Sequence, residues 1–179
     1  MATPDALVKG FDRSIESYNE TERYPLQLTR LVHENLSIVM SFAYSHKPLS
    51  GLIEDRFHGY WKYLEKAIFE IGEERANRAI AELALLIRTL DDEEGITNFD
   101  KQCGMNWNCG RLIKKNGEEE ELSFREFSNK IIHAKTFKWE FSSDDPKLIC
   151  YARNKDNQKW IRAEVDLIGI AAFCGRLMS

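Results

Sequence analysis

Arg125, Asn129 and His133 recur at every fourth position in the stretch SFREFSNKIIHAKTF, residues 123–137. At about 100° per residue, that spacing stacks the three side chains along one side of a helix, where they can reach a common ligand or partner. Arginine brings a permanently charged donor fork, asparagine a donor and an acceptor, and histidine a group that titrates near neutrality. Such a set can hold a phosphodiester and supply the general acid or base for attack by a ribose 2′-hydroxyl, a reaction that needs no metal. The same spacing is also the ordinary solvent side of an amphipathic helix, in which case the stripe makes contacts and no chemistry.

The helix that would carry this stripe, residues 124–135, has a well-marked start. Ser123 and Glu126 fit a capping box, Leu122 and Phe127 fit the accompanying hydrophobic staple, and Phe124, Phe127, Ile131 and Ile132 form the apolar face. Upstream, the first 92 residues read as four helices. Thr3 and Pro4 open the first, whose stripe is Leu7, Phe11, Ile15 and Tyr18. The second runs from about Pro25 to Ser45 on Leu28, Val32, Leu36, Val39 and Phe42, and HKPLSG ends it. A third starts near Gly51 with Ile53, Phe57, Trp61, Leu64, Ile68 and Ile71. A fourth starts near Glu74 with Ala76, Ile80, Leu83, Ile87 and Leu90. These two either part near Gly72 or form one long bent helix, and short connectors make the sequential helices antiparallel neighbours.

Residues 92–122 have no sustained period. They are expected to order in part around Trp107 and Leu112–Ile113, with GEEEE as a solvated turn entering the next helix. From Thr136 the period becomes two: Phe137, Trp139 and Phe141 alternate with polar residues, SSDDP turns, KLICYAR forms a second strand, NKDN turns, and QKWIRAE forms a third. A closing helix carries Leu167, Ile170, Ala171, Cys174 and Leu177 on one face. The expected fold is mainly α, a single domain over 1–179. It is an antiparallel helical bundle to about residue 135, then a three-stranded antiparallel meander and a closing helix.

The motif SNKIIHA, with Asn129 four residues before His133 and late in a helical bundle, resembles the HEPN (higher eukaryotes and prokaryotes nucleotide-binding) domains. Their hallmark is an arginine, a following polar residue and, a few residues on, a histidine. The resemblance spans about residues 5–135 and implies a homodimer in which the motifs of two protomers meet. In some members that arrangement cleaves RNA without metal, in the manner of bacterial toxins and phage-defence proteins. In others it serves only binding or dimerisation. Asn129 and His133 match the motif, whereas Ser128 stands where the hallmark arginine belongs. Arg125, three residues earlier on the same stripe, would then offset the phosphate charge, with Asn129 positioning the phosphate and His133 acting as acid/base. Arg88, four residues before Asp92, reads first as that aspartate's intrahelical partner and second as a further source of charge.

Composition bounds the rest. The 179 residues are 43% apolar and 30% charged, as in an ordinary globular domain. The net charge of −4 divides into −7 over residues 1–100 and +3 over 101–179, so the later part is the face for an anionic partner. No basic segment precedes an apolar core at the N-terminus, and no run approaches the ~18 apolar residues of a membrane span. A cytosolic protein with no membrane partner is expected, with Cys103, Cys109, Cys150 and Cys174 reduced. No phosphate-cradling loop or dinucleotide fingerprint is present, and no cofactor is implied. Cys103 and Cys109 lack the second pair that a zinc site needs, and Asp55 with His58 is one lone i, i+3 pair where a carboxylate-bridged metal bundle needs two. Phe137, Trp139, Tyr151 and Trp160 could stack bases, but their alternation is the mark of a half-buried strand packed on helices.

Overall fold

Leu28, Val32, Asn35, Val39 and Ala43 are buried at steps of three or four, and so are Ala76, Ile80, Leu83, Ile87 and Leu90. This is the spacing with which two helices pack along a shallow left-handed seam. The helices are α1 (Glu20–Arg56) and α2 (Lys62–Glu94), which pair as a long hairpin. The computed structural model describes residues 20–57, 59, 62–105, 107–153 and 159–177. The helix expected at residues 3–18 lies outside the described residues, as do His58 and Trp61.

One boundary differs from the sequence reading, and one choice it left open is resolved. HKPLSG does not end α1, which continues through Pro48 to Arg56. Packing there outweighs the local stop signal: His46 stacks on the Phe141 ring at 3.6 Å, Phe42 meets Trp139 edge-on at 5.1 Å, and Lys47 pairs with Asp144 at 2.7 Å. Nor does Gly72 break α2. A Cβ at that position would lie 3.0 Å from the Phe42 ring, so the glycine lets the two helices approach closely. Of the two readings left open for residues 51–92, a single helix holds from Lys62 onward. Leu64, Ile68 and Ile71, expected on a buried stripe, are exposed.

The stretch 92–122 contains more structure than its lack of period suggested: helix α3 (Ile96–Gln102) and strands β1 (Asn108–Ile113) and β2 (Glu119–Ser123). Helix α4 (Phe124–His133) follows without a linker, then β3 (Ala134–Glu140), β4 (Lys147–Ala152), β5 (Arg162–Asp166) and α5 (Leu167–Arg176). The expected three-stranded meander is thus three strands of a five-stranded antiparallel sheet in the order β2-β1-β5-β4-β3. GEEEE closes a turn at Gly117 and Glu118 and then enters an edge strand. Its consecutive glutamates carry no alternation because β2 has a single neighbour, β1, and Glu119, Glu120 and Glu121 all face solvent. A bulge between Asn108 and Arg111 likewise hides the period of β1.

One side of the sheet, with Cys109, Leu112, Leu148, Cys150, Ala163 and Val165, is buried in a core shared with the hairpin, α4 and α5. The other carries charged ladders, among them Arg111 with Glu119 at 3.1 Å and with Glu164 at 3.2 Å. Helix α5 is capped by Asp166, whose Oδ1 accepts from Ile168 N at 2.9 Å, and buries Leu167, Ile170, Phe173 and Cys174. His33 ties α1 to its end, with one ring nitrogen 2.7 Å from Thr29 O and the other 2.8 Å from Cys174 O. All four cysteines are free thiols, and no helix among the described residues is long and apolar enough to cross a membrane.

Candidate functional site

The start of α4 is formed as its sequence requires. Ser123 Oγ accepts from Glu126 N at 3.3 Å, Glu126 lies in the first turn, and Lys130 and His133 lie in the last, each charge suited to its end of the helix dipole. Phe124, Phe127, Ser128 and Ile131 face inward, and Phe124 stacks on Phe173 of α5 with ring centroids 4.3 Å apart. Ser128, at the position of the expected motif arginine, is wholly buried and donates its hydroxyl to Phe124 O at 3.1 Å. A guanidinium there would enter the core without a counter-charge, so this position is filled for packing.

On the opposite side Arg125 meets the end of α2. One of its terminal nitrogens donates to Asp91 Oδ2 and the other to Asp92 Oδ1 at 2.9 Å. Arg88 Nε donates to Asp92 Oδ2 at 2.9 Å, the intrahelical pairing its spacing implied, and Arg88 Nη1 donates to Asn129 Oδ1 at 2.5 Å. The five side chains form one network of two guanidiniums, two carboxylates and an amide, with no net charge. Asp91 is its most enclosed member, with 1% of its side chain exposed, and its Oδ1 also accepts from Thr97 N at 2.7 Å. That amide is at the start of α3, whose own cap residue, Gly95, has no side chain to offer, so Asp91 caps α3 from the neighbouring helix.

Of the three residues taken from the sequence, Arg125 and Asn129 are therefore joined through Arg88 and Asp92. His133 is exposed one turn further along, and none of the described residues hydrogen-bonds to it in this network. A cleft of about 230 Å³ opens beside Arg125 and Asn129, walled by Thr97, Asp100, Trp107 and Phe124, and His133 is not on its wall. Asp100 is held from behind by Arg176, Nη1 to Oδ1 2.6 Å, and that guanidinium lies 5.5 Å from the centre of the Trp107 ring.

The arrangement can offer hydrogen bonds at a charge-neutral surface. Both of its guanidiniums are paired with carboxylates, while Lys101 stands exposed on the cleft wall and His133 lies off it. Sequence reasoning passed over Asp91 and Asp100 as members of the site, although Asp91 carried a signal: it falls four residues after Ile87 on the apolar stripe of α2, and a carboxylate buried there requires a partner. Two of the four aromatics considered for base stacking are occupied in packing. Trp139 is 8% exposed and donates to Asn77 Oδ1 at 2.8 Å, and Trp160 is 4% exposed beneath Lys130. Among the described residues, no group of three His, Cys, Asp or Glu side chains is placed to hold a metal. No family model, curated protein or solved structure matches the chain.

Proposed function

We propose that the protein is a HEPN-like interaction module, a non-catalytic unit that associates through the exposed stripe of α4 with a second copy of itself or with a protein partner. The observation that carries this reading is the commitment of both nearby guanidiniums, Arg125 and Arg88, to Asp91 and Asp92. A phosphodiester arriving at Asn129 would have to displace carboxylates already in place, and would lose more than it gained. The −7 balance of residues 1–100 weighs the same way, since binding to nucleic acid rests on neutralising many phosphates.

The second reading, an RNA-cleaving protein of the toxin or phage-defence kind, draws its support from His133. This histidine is exposed and stands one turn beyond Asn129, within reach of a substrate shared with a partner copy.

The test incubates wild type and His133→Ala with labelled total and transfer RNA in EDTA, and sediments both proteins in parallel. The expected outcome is intact RNA in every lane together with weaker self-association or partner capture by the variant. Cleavage that persists in EDTA and disappears in His133→Ala would overturn the module reading in favour of the ribonuclease.

A further inference from the structure

The α1–α2 seam has two flanks, and the described residues cover only one of them. On α1 the positions just after the seam, His33, Leu36, Met40 and Tyr44, are half-buried, and Leu36, Met40 and Tyr44 pack against the core. Those just before it, Leu31 and Ile38, are 43% and 36% exposed. By helical geometry these two sets lie on opposite sides of the hairpin. On α2 the covered flank holds Asn77 and Arg88, which reach β3 and α4, and the other holds Gly72, the buried Ala79 and the half-buried Leu86, whose inner side packs on the core. An opening lined by Ser37, Ile38, Ser41, Ile68 and Gly72 marks the far end of this second flank. With its apolar and small side chains this flank forms a shallow groove, whose far end is closed by Phe42 and His46, both packed on Phe141.

We propose that the chain's own residues 3–18 occupy the inner half of this groove, seating Leu7, Phe11, Ile15 and Tyr18 against Leu31, Ile38 and Leu86. Three arguments select this occupant. The first is length. As the helix that its periodicity predicts, 3–18 is about 24 Å long, and α1 covers the same ~24 Å between Glu20 and Leu36. The second is attachment: the segment joins α1 at its first residue, so on turning back it must run alongside α1 and end next to Leu36–Ile38. The third is concentration. A tethered segment is present at roughly millimolar effective concentration, which a second copy or a free partner has to exceed. The segment also carries an apolar stripe that needs a surface, and the groove is the surface within its reach.

Hydrogen exchange of the full-length chain tests this. In the wild type the amides of residues 5–18 are expected to exchange at least ~10-fold more slowly than those of an unstructured chain, equally at two protein concentrations tenfold apart. Leu31→Lys, a change at an exposed position, removes that protection and leaves β4 and β5 as protected as before. Phe11→Asp on the segment does the same, whereas Ile168→Lys on α5, where the leucine-sized side chain is 50% exposed, leaves it intact. Free exchange of 5–18 in the wild type would overturn the proposal, as would protection that survives both groove and segment substitutions. Protection that appears only at the higher concentration would also overturn it, because a second copy would then be the occupant.

Discussion

Asp91 joins three helices through a single carboxylate: it is part of α2, pairs with Arg125 on α4 and caps α3 through Thr97 N. With 1% of its side chain exposed, it would be costly without its counter-charge. Arg125→Ala should therefore lower stability by about 3 kcal/mol or more in denaturant unfolding, well beyond what an exposed ion pair contributes. Asp91→Ala, which strips the cap from α3 as well, should cost at least as much. A loss below about 1 kcal/mol in both would mean that the network is not enclosed in solution. The thiols give a second residue-level expectation. Burial pushes Cys109 and Cys174 up to about 12 and raises Cys150 further, whereas Cys103 is exposed. A disulfide reagent at about pH 8 should label one thiol per native chain quickly, and four only after unfolding. His46 gives the third. Packed between Phe141 and Phe69, its imidazole titrates below its ordinary value of 6.5 because burial disfavours the charged ring, with Glu73 and Glu65 opposing in part. The unfolded chain thus binds the proton more readily, so stability falls as pH drops through about 6.5 toward the lowered native value. His46→Phe keeps the stacking and loses the proton site. Its melting temperature should decline less than that of wild type between about pH 7.5 and 5.5, and parallel curves would count against the assignment.

At the scale of elements, α4 and α5 were legible in the sequence because their signals are local. Ser123 followed by Glu126 marks one start, and the apolar spacing from Leu167 to Cys174 marks the other. The boundaries that misled are those set by distant residues. HKPLSG is a good stop signal on its own, and it is residues almost a hundred positions later, the rings of Phe141 and Trp139 and the Asp144 carboxylate, that carry the helix through it. Strands β1 and β2 were hidden for a related reason, since one is bulged and the other is an acidic edge. Within the candidate site the α4 stripe could be read from spacing alone, while the neutralising aspartates lie on another helix and required the fold. Gly110 shows how tightly β1 is set in its place. With φ at +136°, it brings its backbone so near β5 that a Cβ would lie 2.0 Å from Glu164 O. Gly110→Ala should accordingly cost at least about 2 kcal/mol of stability and lower the exchange protection of β5 before that of the α1–α2 hairpin. Unchanged protection in β5 would show that the sheet can absorb the extra carbon.

For the molecule as a whole, the helical hairpin and the sheet are two layers around one core, and the expected boundary near residue 135 does not separate them. Strands β1 and β2 belong to the same sheet as β3, β4 and β5, with α4 threaded between its two edge strands. The charge-neutral network sits where α2, α3 and α4 meet, so whatever the α4 stripe contacts, it does so from a junction of three helices. The strand order has a further consequence, one of timing. β1 with β2 and β3 with β4 are each neighbours in sequence and can pair as soon as they are made, but β5 lies between the two pairs and joins them. During synthesis the chain must hold two unjoined hairpins, each with an open edge, until residues 162–166 leave the ribosome and fill the gap between them. The strand that completes the sheet follows both hairpins in the chain, and a chain cut short before it would present both open edges to its neighbours.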